Sequence, residues 1–199
     1  MNVYSLLTEI QTPAADPVYA AKMLHTIPDV PTVKRFDYLL ERATGKVILD
    51  IGCTGPFSPE LARVAREYHG IDTRPTRLPN FYQLDIETIE LLPKIPDLEL
   101  VIASEIIEHL LNAGRFLALL KQYTCPILLT TPNAFSQAGR KHLAQGVECV
   151  NRDHVSWYSY HTLKTLLERM EYNIINWMWY NGEPLIAEGL IFEITHGAD

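Results

Sequence analysis

The stretch KVILDIGCTGPFS, Lys46 to Ser58, constrains the fold more than any other part of the chain. Its apolar, β-branched run ends in Asp50 and breaks at once into a turn carrying Gly52 and Gly55; Pro59 then opens a run with helical spacing. An uninterrupted apolar run of this length has no polar face to offer water, so it reads as a strand covered on both sides, the kind found inside α/β sheets. Proline fits the first turn of a helix, where its missing N–H would have no partner anyway. A buried strand, a glycine turn and a helix in succession make a cradle for a nucleotide-like ligand, because the turn's N–H groups and the helix N-terminus lie at the carboxyl end of the sheet.

The alternation continues along the chain. VKRFDYLLERATG places Val33, Phe36, Leu39 and Leu40 at helical spacing before Gly45. YHGID, NFYQLDI, LELVIASEI and CPILLTT read as strands, and SPELARVAREY, AGRFLALLKQY and SYHTLKTLLERM as helices. Strands alternating with helices imply crossovers of one hand and a parallel sheet. The last two strands, YNIINWMWYN and EGLIFEITH, are joined by GEPLIA without a helix, which predicts an antiparallel pair. The expected fold is therefore α/β, a Rossmann-like, mostly parallel sheet with a terminal antiparallel β-hairpin and helices on both faces. Residues 1–44, with prolines at 13, 17, 28 and 31, read as an N-terminal helical cap segment with a short helix around Val18 to His25. Residues 45–199 read as one ligand-binding domain. Its insertion at about 133–159 is longer than ordinary connections and should carry its own helix, about Gln137 to Ala144, as a lid over the cleft.

Composition narrows the classes. The formal charge is −7, from 17 basic and 24 acidic residues, which argues against a protein that grips long stretches of phosphate backbone. Three cysteines, odd in number and without a C-x-x-C pair, argue against a structural zinc or a disulfide framework and fit a reducing cytoplasm. No apolar run approaches the roughly 18 residues of a membrane helix. The start, MNVYSLLTEIQTP, lacks a signal-like core. The expectation is a soluble cytoplasmic protein, monomer or homodimer.

The turn lacks both G-x-x-x-x-G-K-[ST] and G-x-G-x-x-G, so neither a Walker loop nor the dinucleotide fingerprint explains it. Asp72 ends the second strand of the series, where a carboxylate can accept bonds from both ribose hydroxyls. Asp85 ends the third, in reach of an adenine amine, with Ile86 against the ring. Three acids ending successive strands, together with the turn, are a joint signal. VILDIGCTGPFS, GID, LDI and LVIASEIIEHL resemble in order the four motifs of class I S-adenosylmethionine-dependent methyltransferases, over a region from about Gly45 to the C-terminus. The resemblance implies a seven-stranded sheet with a reversed last strand. It also implies S-adenosylmethionine as cofactor, with Asp50, Gly52, Cys53, Gly55, Asp72, Asp85, Ile86 and Glu105 around it. The family's first motif usually reads D-x-G-C-G-T-G; here Thr54 and Pro56 stand at or near glycine positions, leaving less backbone freedom beside the methionine part of the cofactor.

SEIIEHLLN sets Glu105, Glu108 and His109 at i, i+3 and i+4, on one face of a helical turn after the fourth strand. With His154 from NRDHVSW they suit Mg²⁺, Mn²⁺ or Fe²⁺. The bland alternative keeps Glu105 at the cofactor and packs His109 beneath it. His109 and His154 are also the candidates for a general base. E-x-x-E-H followed by D-H resembles the ubiquinone-type O-methyltransferases and the small-RNA 3′-terminal 2′-O-methyltransferases; in the latter the resemblance implies a metal held by the two Glu and two His. The lid offers Asn133, Arg140, Lys141, His142, His154, Trp157 and Tyr158 as acceptor contacts. TPNAFS…H…WYS…TL…LLER resembles compact bacterial methyltransferases of cell-surface polysaccharide and secondary metabolism, which implies a hydroxyl of a sugar or small molecule as acceptor. The alternatives are an RNA-terminal 2′-O-methyltransferase, opposed by the acidic charge, and a non-catalytic methyltransferase-like partner subunit, opposed by the intact Asp50, Asp72 and Asp85. Trp177 and Trp179 share a strand face and suit sheet packing or a dimer contact.

Overall fold

The structure is a computed structural model that describes residues 25–197. In chain order its elements are β1 (Thr32–Val33), α1 (Arg35–Ala43), β2 (Val47–Ile51), α2 (Ser58–Val64), β3 (Glu67–Asp72), β4 (Phe81–Gln83) and β5 (Leu100–Ser104). A single 3₁₀ turn (Ile107–His109) follows, then α3 (Ala113–Leu120), β6 (Ile127–Pro132), α4 (Gln137–Leu143), α5 (Tyr160–Arg169), β7 (Asn173–Tyr180) and β8 (Gly189–Thr195). The helix expected around Val18 to His25 falls almost wholly outside the described residues.

One sheet in the order β1-β7-β8-β6-β5-β2-β3-β4 holds all eight strands. β8 runs antiparallel to both its neighbours, and every other pairing is parallel. Seven of these strands are the ones the sequence predicts. The eighth, β1, is two residues long and pairs Thr32 and Val33 with Trp179 and Tyr180; two residues carry no readable period.

β2 is buried along its whole length, as its apolar run requires. Its odd positions, Val47, Leu49 and Ile51, face a core shared with Phe116, Leu117 and Leu120 of α3 and Leu163 and Leu167 of α5. Ile48 faces the opposite core, with Leu39 and Ala43 of α1 and Leu61 of α2. Period-2 alternation within one strand thus supplies two cores, which is what keeps helices on both faces of the sheet. Trp177 and Trp179 are buried, and their rings meet edge to face at 5.3 Å, with Phe192 beside Trp177. They are sheet packing. The strand order reverses beside β2, since β3 lies on one side of it and β5 on the other. The carboxyl ends of β2, β3 and β5 therefore border a crevice, the place where such sheets take ligands.

Candidate functional site

A cavity of about 600 Å³ opens in that crevice. Its floor is the turn after β2. Gly52 has φ +84°, a conformation that strains any residue with a Cβ, and a Cβ there would also displace the end of the Ile106 side chain, 2.8 Å away. The N–H groups of Gly52 and Cys53 both donate to the Ile71 carbonyl, which ties the turn to β3.

Asp50 lies beneath this turn. Burial raises its carboxyl to about 6, against hydrogen bonds from Ser58 and Tyr68 that lower it; the Tyr68 hydroxyl donates to Oδ2 at 2.8 Å. Asp72, at the end of β3, faces the same cavity. Its Oδ2 accepts from the Thr54 N–H (3.1 Å) and hydroxyl (2.8 Å), and its Oδ1 from the Arg74 N–H (2.9 Å). Burial pushes Asp72 up, but those bonds and the Arg74 charge outweigh it and hold the carboxyl below its ordinary value. Thr54, which departs from the family's glycine, thus spends its side chain on orienting Asp72.

Three of the expected cofactor residues stand elsewhere. Cys53 does not line the cavity: it is fully buried under the turn, against the Gly70 position of β3, and burial pushes its thiol up to about 12. Ile86 is buried in the core on the α3 face instead of presenting a surface to a ring. Asp85 lies beyond the end of β4, exposed, and its Oδ1 accepts from the Glu87 N–H at 2.9 Å, closing a local turn. Gly52, Gly55, Asp50, Asp72 and Glu105 do line the cavity.

Glu105 is drawn away from the metal set in which the sequence places it. It sits at φ +55° immediately after β5, so the face it shares with Glu108 in an ideal helix does not form. Its Oε1 meets Arg35 Nη1 at 2.8 Å and accepts from Thr130 Oγ1 and the Tyr180 hydroxyl, each at 2.9 Å. Arg35 in turn lies over the rings of Phe57 (5.0 Å) and Tyr180 (4.8 Å). Sequence reasoning missed Arg35 and Tyr180. One signal was present: Arg35 precedes Leu39 by four residues, so a cation stands on the buried stripe of α1.

Glu108, His109 and His154 do come together, with one ligand atom from each lying within 4.8 Å of the others. Glu108 is almost wholly buried. Its Oε2 accepts from Thr131 at 3.0 Å, while its Oε1 has no hydrogen-bond partner among the described residues and stands 4.0 Å from His154 Nε2. Burial, then the nearby Glu105 charge, push this carboxyl up to about 8. Burial and His109 hold His154 below its ordinary value. His109 Nδ1 lies 3.2 Å from the Asp153 carbonyl; a carbonyl only accepts, so Nδ1 carries a proton, and Nε2 is the ring nitrogen left to face a ligand. His154 is brought in because the Val155 and Ser156 N–H groups both donate to the Glu108 carbonyl. A buried carboxylate oxygen without a donor, beside two imidazoles, fits a divalent cation.

The rest of the 133–159 segment, expected to form a lid, divides. Asn133 is buried, and its side chain bonds Leu185, Ala187 and Phe135 backbone groups, so it is structural. Tyr158 bridges to it and is also buried. Arg140, Lys141 and His142 project from α4 into solvent, and Trp157 is partly exposed in a small apolar pocket of the lid. A second large cavity, about 790 Å³, adjoins the first through Arg35 and Phe57 and reaches Ser136 of the lid.

A protein-family model described as "Methyltransferase domain" matches residues 19–176. No curated protein sequence matches the chain. Among solved structures, the chain is similar to the small RNA methyltransferase HEN1, with a TM-score of 0.66 at 14% identity over 88% of this chain; it spans only 27% of that one. An S-adenosylmethionine-dependent methyltransferase from Clostridium acetobutylicum is similar over 99% of this chain and 100% of its own, at 12% identity and a TM-score of 0.57. Magnesium protoporphyrin IX methyltransferase from Synechocystis, with bound SAH, is similar over 81% of each chain, at 13% identity and a TM-score of 0.56. At such identities the likeness is one of fold.

Proposed function

The chain belongs to the methyltransferase-domain family, as a class I S-adenosylmethionine-dependent enzyme, and from that premise we propose that it moves the methyl group to a hydroxyl of a small molecule or sugar, gripped by a divalent cation at Glu108, His109 and His154. The observation that carries the acceptor reading is the buried, unpartnered Oε1 of Glu108 beside His154. In the transfer the S–CH₃ bond breaks, its electron pair stays on sulfur, an O–CH₃ bond forms and the hydroxyl proton leaves. The chain's main work is alignment: the Gly52 turn and Asp72 fix the cofactor, and the 3₁₀ turn after β5 sets the acceptor next to it. A cation such as Mg²⁺ or Mn²⁺ would acidify a hydroxyl bound to it. His154, neutral at pH 7 because its value is lowered, has a lone pair to offer the cation or the departing proton.

The test is methyl transfer from labelled cofactor to acceptors bearing a vicinal diol or a lone hydroxyl, with Mn²⁺ and after chelation. Transfer to diols that chelation and Glu108→Gln both abolish supports the reading; transfer indifferent to metal overturns it. A second reading, the terminal 2′-hydroxyl of an RNA, is favoured by the same E-x-x-E-H and D-H pattern. A ribonucleoside 3′ end outperforming free sugars in that assay would select it. Failure to bind S-adenosylhomocysteine at all would favour a non-catalytic partner subunit.

A further inference from the structure

The apolar pocket of the 133–159 segment has a volume of about 310 Å³ and is walled by Ala134, Phe135, Leu143 and Trp157, together with the Cys149 thiol, itself a small apolar group. Phe135 is 57% exposed, Leu143 68% and Trp157 44%. Large apolar side chains scattered singly over a surface need no explanation, but three around one concavity mark a place where apolar matter binds. The two charged residues of the lining, Arg140 and Glu148, are exposed, so their charges stay in water when the pocket fills. The walls are tied together. A bridge between Asn133 and Tyr158, and a bond from the Ala134 N–H to the Tyr158 carbonyl (2.8 Å), join the Phe135 side of the pocket to the Trp157 side. α4, which carries Leu143, is fixed at its start: the Ser136 hydroxyl accepts from the Gly139 N–H, and the Gln137 N–H donates to the Ile186 carbonyl at 2.9 Å.

The pocket's neighbour gives it a use. A recess of about 80 Å³ is lined by Glu108 and His154, and also by Cys149 and Trp157 of the apolar pocket and by Asn151 of the cofactor cavity. Such a recess is far below the roughly 300 Å³ at which pockets for drug-sized ligands begin, so the body of an acceptor held at Glu108 must lie outside it. Two cavities adjoin. The 790 Å³ cavity shares one lining residue with the recess, Ser136, and its Lys34, Asp37, Gln137 and Glu183 make it polar. The apolar pocket shares two, and a sugar ring placed there would bury hydroxyls without partners.

We propose that the apolar pocket receives an alkyl or aryl group of the acceptor, so that the molecule methylated is an amphiphile, with its hydroxyl head in the recess and its apolar tail beside Trp157. Phe135, Leu143 and Trp157 then set the specificity. The proposal rests on the acceptor being held at Glu108 and His154, as read above.

Alkyl β-D-glucosides from methyl to octyl test this, since they offer one vicinal-diol head with tails of graded length. In calorimetric titration of the protein loaded with S-adenosylhomocysteine and Mn²⁺, affinity should rise up to about fourfold for each methylene that enters, then level off once the pocket is full. The fluorescence of Trp157, the exposed member of the chain's three tryptophans, should shift with the same dependence. Leu143→Ser and Trp157→Ala should weaken the octyl glucoside by about 10-fold or more and leave the methyl glucoside within about twofold. Both side chains are partly exposed, and an unchanged affinity for S-adenosylhomocysteine confirms that each variant folds. Affinity that ignores tail length, or a slope that both variants keep, overturns the proposal while leaving the cation reading intact. Failure of the cation reading looks different: the slope is present, but neither chelation nor Glu108→Gln changes the affinity of any glucoside. That result separates the pocket from Glu108 and overturns its assignment to the acceptor as well.

Discussion

The two sides of the crevice treat their carboxylates in opposite ways. On the side of β2 and β3, Asp50 and Asp72 have hydrogen-bond donors from within the fold, and Asp72 is held ionised by them. On the side of β5 and β6, Glu108 is buried with one oxygen unpartnered and a carboxyl raised to about 8. The first side draws its donors from within the fold; on the second, Glu108 Oε1 has no hydrogen-bond donor among the described residues. A buried polar atom without a partner costs stability in the free protein. Between the two, Glu105 is held by Arg35, Thr130 and Tyr180.

The sharpest way to break the first side is Gly52→Val. A β-branched residue at φ +84° that also meets Ile106 should lower affinity for S-adenosylhomocysteine by more than about 100-fold and cost about 2–4 kcal/mol of stability, read by calorimetry and urea unfolding. Glu108→Gln probes the second side. The folded-state value of Glu108, about 8, lies above its ordinary 4.5, so the folded protein holds the proton more tightly. Stability present at pH 4 should therefore decline as pH rises towards 8. Gln removes that slope and should make the metal-free protein more stable than wild type at pH 8.5 by about 1–3 kcal/mol. The same variant should lose the thermal shift that Mn²⁺ gives the wild type, while still binding S-adenosylhomocysteine. Metal affinity of the wild type should rise about tenfold per pH unit up to pH 8, because the cation displaces the Glu108 proton. The smallest effect belongs to Asp85→Asn. With Oδ1 engaged by Glu87, it should weaken S-adenosylhomocysteine by no more than about fivefold, measured by the same titration; a larger loss would mean that the first side extends past β4.

What was legible followed from local periodicity. The run that became β2, the proline that opens α2 and the helix-free link between the last strands each declare themselves within a dozen residues. Asp72 and the Gly52 turn were legible for the same reason. Glu105 was read as a fellow of Glu108 because an ideal helical turn puts them on one face; its left-handed backbone and its bond to Arg35, 70 residues earlier, undo that. Tyr180, 75 residues later, reaches it from the end of β7, past β8 and β6, a contact only the assembled sheet creates. The Cys53 and Ile86 side chains are buried in the two cores, and neither lies in a strand whose alternation would have shown that in the sequence. No period encodes contacts that the sheet order creates.

The bonds from the Val155 and Ser156 N–H groups to the Glu108 carbonyl have a consequence for how the acceptor side opens. They fasten the segment that carries His154 to the backbone of the residue that shares its cation site. Lifting that segment to admit an acceptor would pull an imidazole away from the carboxylate in the same stroke. A cation held there, as proposed above, would act as a latch on that segment, and slower hydrogen exchange of those two amides on adding Mn²⁺ is the expected sign of it.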